Sequence, residues 1–594
     1  MQNGVSAVAF TTLPGLLLHA TSRYSLPNAL NYPDGGRWIP LSHAELRSTV
    51  ERLCLGLREE GVKPGDRIGL IAPSSPLWVA VDMAIQCAGA VTVPLFKRIS
   101  VESFTHEVKD SGMRWLFVGN PNEMPMAFEH ARDKAKLVTF WYSGQHELFD
   151  RMMQRGREKS AREPGLFESL CRQVAPSDLA TIIYTSGSMG PPKGVELTQD
   201  NIVSQVCATT RVFPPSTGTD ICLSVLPPEH IFERMSLCFY IGSGIPVYFV
   251  DDPKRVGDYM REVRPTIMTV VPRILEKVAA GMQRAAQETP GAKGAVARAA
   301  VARARRKPAE ASPGPMDRLF DRLVYTRMRA ALGGSFRHII SGASRLSPEV
   351  AVFLINVGVP IYEGYGLTEA SPVITANSPA GRKVGTVGQA FPEVEIRIAA
   401  DGEILARGPN VMRGYHNNLA ATADAVDEDG WLHTGDLGSL DSDGYLTVTG
   451  RKKELFKKST GEYVPPGPIE EALVRIPFVD SAMTVADNRA YVVALLFPDP
   501  QKVAELKESV GLATLSDAEF LKSDFLRTFT QDQINSINAH LHHTERVERF
   551  VILDHPAGVE TGELTPTLKI RRFAVEKKYA DTIEEMYRSI GGWK

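Results

Sequence analysis

The chain has 594 residues, 43% apolar and 23% charged, with 67 Lys and Arg against 69 Asp and Glu. That length exceeds what one hydrophobic core usually serves, so two or more domains are predicted, with the composition of an ordinary soluble globular protein. The near-zero net charge gives no global drive toward nucleic acid, and no nucleic-acid partner is expected, although local patches remain free to act.

At the N-terminus no basic segment precedes an uninterrupted apolar stretch, which argues against a signal peptide. From about Ser42 to Val118 helical and strand patterns alternate. "AELRSTVERLCLGLREEG" sets Leu46, Val50, Leu53 and Leu57 on one helical face, and Gly61 supplies a stop. "KPGDRIGLIAPSS" reads as turn and strand, and "LWVAVDMAIQCAGAVTVPL" as a buried helix feeding another strand. "RPTIMTVVP" and "RHIISGAS" continue the rhythm, so a layered α/β domain rich in parallel strands is predicted, with ligands bound beyond the strands' carboxyl ends. The longest uncharged run, Met235 to Val250, contains Gly and Pro and is too short to span a bilayer comfortably; it reads as buried helix and strand. The six cysteines are scattered without a CxxC pair, as expected of reduced thiols in a cytoplasmic enzyme.

Two stretches break the alternation. Residues 284–307 are Ala-rich and carry five Arg and two Lys against one Glu, with Pro/Gly/Ser-rich text following to Pro315. This predicts a basic helix in a surface insertion over about 284–315, either solvated or in peripheral contact with an anionic membrane. The second break, "TGRKKELFKKSTGEYVPPGPIEEAL", follows the hairpin-like "DSDGYLTVTG" and marks a domain boundary. The expected domains are 1–452 and 453–594, the second a small α+β unit.

The most informative text is "YTSGSMGPPKG", Tyr184 to Gly194. The common P-loop needs Gly before its lysine and Ser or Thr after it. Here Pro192 and Gly194 flank Lys193, which excludes that reading. Hydroxyls at Thr185, Ser186 and Ser188, glycines at 187, 190 and 194, and the Lys193 cation nevertheless suit an anion approached by backbone N–H groups.

This loop resembles the signature of the acyl-adenylate-forming (AMP-binding) superfamily, and further motifs follow in that family's order. The resemblance covers roughly Leu13 to the end. It implies a large N-terminal layered α/β domain plus a small mobile α+β C-terminal domain, with ATP, Mg²⁺ and CoA as cofactor and co-substrates. Ser186, Gly187, Ser188, Gly190 and Lys193 would contact phosphate, with Met189 replacing a family threonine. "SGAS" supplies Ser341, Gly342 and Ala343 at the adenine side. In "YEGYGLTE", Tyr365 would stack on adenine with Gly366 beside it, Thr368 would contact phosphate, and Glu369 would hold Mg²⁺ with Thr185. A hard cation prefers such oxygens and keeps phosphate as a ligand. "GWLHTGDLG" gives Asp436 and "GRKKE" gives Arg451 for the ribose and Lys453 as hinge, while His433 reads as structural. "TGELTPTLKIRR" puts Lys569 in the place of the mobile catalytic lysine.

"LPPEHIFERM" and "VPRILEKV" resemble the long-chain fatty acyl-CoA ligase branch, with His230 at the acyl pocket near the adenylate. "PLFKRIS" and "PPGPIE" depart from the family's usual wording. The expected reaction is ATP-dependent activation of a long- or medium-chain fatty acid through acyl-AMP, followed by thioester formation with CoA. The alternatives are an acyl-AMP ligase loading a carrier protein and a catalytically silent nucleotide- or lipid-binding relative.

Overall fold

The computed structural model describes residues 10–588 except 98, 121, 123, 132, 186–191, 310, 460–461 and 566–568, and of residue 453 the backbone alone. The predicted first helix runs His43–Glu59, started by a capping box between Ser42 and Glu45. Its four predicted face residues, Leu46, Val50, Leu53 and Leu57, are fully buried.

Two large sheets carry the N-terminal part. In the seven-stranded sheet the strands Lys136–Phe140, Trp115–Gly119, Arg67–Ile71, Val91–Pro94 and Leu179–Thr185 run parallel, and Lys193–Thr198 and Gly414–Tyr415 add antiparallel at one edge. The nine-stranded sheet has a parallel centre that includes Cys222–Ser224, Ile267–Val270, His338–Ser341 and Ile361–Gly366. One apolar cluster joins Ile68, Leu70 and Phe117 of the first sheet to Cys222, Val247 and Ile267 of the second. Helices Pro76–Cys87 and Ile231–Gly242 belong to that cluster and are buried along nearly their whole length. A helix that is mostly apolar all round belongs in such an interior, and the buried charges Arg234 and Asp82 pair with each other. The run Met235 to Val250 is therefore the buried helix and strand expected from its composition.

Side chains alternate across each strand. Met268, Val270, Ile339 and Ile361 pack on the outer face of the nine-stranded sheet against the helices Pro272–Glu288, Gly291–Arg306 and Pro348–Val357. Their neighbours Ile267, Thr269, Ile340 and Gly364 face inward and line a cavity.

The basic helix Gly291–Arg306 keeps its arginines exposed and docks by one face: Gly294, Ala300 and Ala304 are buried, and its neighbour Asn356 donates to the carbonyls of Ala304 (2.9 Å) and Lys307 (2.8 Å). Tyr325 donates to the Ala300 carbonyl at 2.9 Å. The small side chains on that face are the ones that allow close docking. Asp317 pairs with both Arg303 and Lys307.

After the hairpin Leu432–Leu440/Leu446–Arg451, a short helical turn at Lys452–Glu454 leads into a three-stranded sheet, Val479–Val485, Val492–Pro498 and Val547–Ile552. Separate apolar clusters cover its two faces, one around Leu473, Phe478 and Phe520, the other around Phe497, Val575 and Ile583. No helix among the described residues is long and apolar enough to cross a membrane.

Candidate active site

A cavity of about 300 Å³ opens where Leu179–Thr185, His338–Ser341 and Ile361–Gly366 end, at the carboxyl edge of both sheets. Thr185, Gly342, Ala343, Tyr365, Gly366, Thr368 and Glu369 line it. Backbone conformation fits the loops to this place. Ala343 takes the left-handed region (φ 71°), sparsely populated for a residue with a Cβ and characteristic of binding sites. Gly366 has no room for a side chain, since a Cβ there would lie 1.8 Å from the Pro372 carbonyl oxygen.

The polar end is organised around Asp436. Its Oδ2 accepts from the Tyr365 hydroxyl at 2.7 Å and its Oδ1 from Arg451 Nε at 2.9 Å. Burial, then the Asp436 charge, push the Tyr365 phenol well up, so it stays a donor. Arg451 itself lines the cavity, while Asp436 sits behind it. On the other side Glu369 Oε1 accepts from Tyr415 at 2.8 Å, and Lys193 Nζ lies 4.6 Å from the Tyr415 ring centroid. Tyr415 thus bridges Lys193 and the Glu369 carboxylate. Sequence reading missed it, because a single tyrosine in "MRGYHNN" carries no chemical signature of its own. His106 was missed for the same reason; its Nε2 lies 2.9 Å from the Pro192 carbonyl and pins the described end of the loop.

Lys569 reaches the cavity from the C-terminal unit. Its backbone N–H donates to Thr565 Oγ1 at 3.1 Å, and its carbonyl accepts from Thr565 N–H at 2.7 Å. Desolvation, then the Arg451 charge, pull its pKa below the usual lysine value, with Asp436 and Glu454 opposing. His230 precedes the helix Ile231–Gly242, its ring 5.3 Å from that of Phe96. Burial first, and the Lys569 charge second, pull this imidazole down to about 4, so it is neutral at pH 7. Phe96 belongs to "PLFKRIS", the stretch that departed from family wording, and it lines the same cavity.

Ser341 does not line the cavity. The Ser341 hydroxyl is buried without a hydrogen-bond partner beneath it. Ser186, Gly187, Ser188, Met189 and Gly190 lie outside the described residues, as does the Lys453 side chain, whose backbone occupies the Lys452–Glu454 turn. His433 lies 3.3 Å from Glu403 and 3.7 Å from Asp427, in a cluster apart from the cavity lining.

Among the described residues no group of three or more His, Cys, Asp or Glu could hold a metal by itself. The one carboxylate of Glu369 and the hydroxyl of Thr185, both on the cavity wall, suit Mg²⁺ that takes most of its ligands from phosphate and water.

The AMP-binding enzyme family matches residues 20–416, and the AMP-binding enzyme C-terminal domain matches residues 454–591. The chain belongs to this family. Among AMP-binding enzymes it is 34% identical over 562 residues to a long-chain-fatty-acid–CoA ligase, FadD15, of Mycobacterium bovis, covering 93% of each chain. It is 31% identical over 579 residues to human long-chain-fatty-acid–CoA ligase 6, covering 92% of this chain and 82% of that one. Among solved structures, it superposes on the adenylation domain of a carboxylate reductase from Mycobacterium chelonae with a TM-score of 0.74. The two are 20% identical, and 99% of this chain and 92% of that one are covered.

Proposed function

We propose that the protein is an AMP-forming fatty acid–CoA ligase acting on long- or medium-chain acids. The observation that carries this reading is that one cavity joins two unlike ends. At one end Thr185, Glu369, Arg451 and Lys569 offer oxygens and cations to a triphosphate. At the other, Ile231, Met235, Phe239 and Ile340 offer an apolar lining to an alkyl chain.

The chemistry follows from charge. A carboxylate is a poor electrophile, so its oxygen attacks the α-phosphorus of ATP, a P–O bond forms, and the bond to pyrophosphate breaks. Negative charge on that phosphate rises in the transition state, and the Lys569 ammonium is held where it lowers that energy. Thr185 and Glu369 would hold Mg²⁺, which supplies charge neutralisation to the phosphates. Tyr365 flanks the adenine, and Asp436 with Arg451 takes the ribose hydroxyls, beside Gly342, Ala343 and Gly366. Thr368, Lys193 and the loop residues Ser186 to Gly190 contact phosphate. The neutral His230 imidazole donates a hydrogen bond to the acyl carboxyl at the neck of the apolar limb. CoA thiolate then attacks the acyl carbonyl carbon, and AMP leaves. For that step the unit 453–594 rotates about Lys453 relative to 1–452, withdrawing Lys569 and opening a path for the thiol.

The protein works in the cytoplasm with a peripheral membrane contact. Met316, Leu319 and Leu323 are exposed, and exposed Arg318 and Arg322 lie among them with Arg305 and Arg306 on the adjacent helix. Apolar side chains ringed by arginines suit an anionic lipid surface, where the fatty acid substrate partitions.

Incubation with Mg-ATP and a series of fatty acids, with and without CoA, tests the function. Acyl-CoA formed only with CoA supports the ligase; acyl-AMP accumulating regardless of CoA replaces it with the carrier-loading enzyme; no product from any acid overturns both.

A further inference from the structure

The apolar limb of the cavity has a built end. On the inward face of the nine-stranded sheet, Thr269 pairs with Ile340 and Ile340 with Tyr362, and one row further from the phosphate end Ile267 pairs with His338. In the row nearest the phosphates, Gly342 and Gly364 leave the sheet bare. The inward face of the sheet therefore passes from bare backbone to the row of Ile340 and Tyr362 and then to that of Ile267 and His338. Phe213 closes the remaining gap. It ends the helix Gln199–Val212, is held by its own N–H donating to the Thr209 carbonyl at 2.8 Å, and is 3% exposed.

Phe213, His338 and Tyr362 touch one another with centroid separations of 5.5, 5.7 and 5.8 Å, but of the three only Phe213 faces the cavity. Behind them stands a charged layer, Arg337 paired with Asp220 and Arg382 stacked on Tyr362 at 5.6 Å. Phe213 cannot swing outward without displacing both rings, and an alkyl chain cannot pass it without meeting guanidinium groups. The His338 nitrogens are buried without hydrogen-bond partners, and burial with the Arg337 charge lowers the imidazole's pKa. A neutral ring of this kind costs stability relative to an apolar one.

Building on the fatty-acid reading above, we infer that Phe213, backed by His338 and Tyr362, is the floor of the acyl pocket and sets the longest chain the enzyme accepts. One methylene too many in a closed apolar pocket costs about 10- to 200-fold in kcat/KM. Removing the floor abolishes that cost for chains just beyond the wild-type limit.

The test compares kcat/KM across a saturated chain-length series for wild type, Phe213→Ala and Phe213→Trp, following pyrophosphate release, with melting temperatures recorded alongside. Phe213→Ala should gain at least ~10-fold on acids just longer than the wild-type limit while changing little on short ones. Phe213→Trp should lose the longest acids first, which keeps the inference testable if the alanine variant does not fold. Two profiles that keep the wild-type limit, or that move uniformly at every length, overturn the inference and leave the ligase standing. A wild-type enzyme that activates no fatty acid overturns the ligase reading itself.

Discussion

Lys569 and His230 stand more than three hundred residues apart in sequence and share the wall of one cavity, close enough for the lysine charge to depress the imidazole. Lys569, carried by the C-terminal unit, thus lies at the carboxyl edge of the sheets. Burial first and that charge second hold the His230 imidazole neutral at pH 7.

Replacing Lys569 by Ala separates the two half-reactions. Adenylation, read as pyrophosphate exchange into ATP, should fall by about 10²- to 10³-fold, the usual effect of removing one electrostatic contact to a developing charge. Thioester formation from supplied acyl-AMP should stay near wild type. Intact exchange in the variant would remove Lys569 from the mechanism.

Asp436→Asn tests the nucleotide end. The carboxylate is held by Tyr365 and Arg451, so its position survives the change while its charge does not. A charged hydrogen bond contributes about 1.5–3 kcal/mol, equivalent to roughly 10- to 150-fold in affinity. KM for ATP should rise by that order with KM for the fatty acid little changed. An unaltered KM for ATP would exclude the ribose contact.

Glu107 lines the cavity beside Tyr184, and burial pushes its carboxyl up to about 8. The folded protein therefore keeps a proton on Glu107 between about pH 4.5 and 8 that the unfolded chain has released, so this group's contribution to stability falls as pH rises through that window. Glu107→Gln, which holds the neutral form at every pH, should melt at nearly the wild-type temperature at pH 4.5 and at least ~2 °C above it at pH 8.5. A pH-independent difference would mean that the carboxyl is charged in the fold.

Arg234 and Asp82 form a bidentate pair at 2.6 and 2.8 Å in the interior, with side chains 1% and 2% exposed. The pair ties the helix beginning after His230 to Pro76–Cys87. Arg234→Met strands a buried carboxylate and should destabilise by about 3–5 kcal/mol, whereas Arg234→Met with Asp82→Leu should be closer to wild type. Thermal unfolding of the three proteins decides it; a double variant as weak as the single one would assign the pair a packing role instead.

Met189→Thr restores the hydroxyl that the phosphate-loop resemblance leads one to expect. It should lower KM for ATP with little effect on acyl-chain preference, measured in the same exchange assay. A lower rate at saturating ATP would mean that the methionine belongs to this loop's own packing.

Adenylate chemistry is legible in the chain because its groups come in short contiguous runs. Hydroxyls and glycines around Lys193, Tyr365 four residues before Glu369, and Asp436 in "HTGD" each keep their spacing wherever the segment folds. The alternation that predicts parallel strands is likewise local, since side-chain period follows from backbone geometry. Tertiary structure alone decided the rest. Tyr415 meets Glu369 and Lys193 because two sheet edges converge. Phe213 meets His338 and Tyr362 because strand register puts those rings in adjacent rows on one face, and a one-residue slip would turn both toward the outer helices. The alanines of Gly291–Arg306 became a docking face because a neighbouring helix lies close enough to use small side chains. Sequence specifies which groups are present and their local geometry; contacts between distant segments exist only once register and packing bring the segments together.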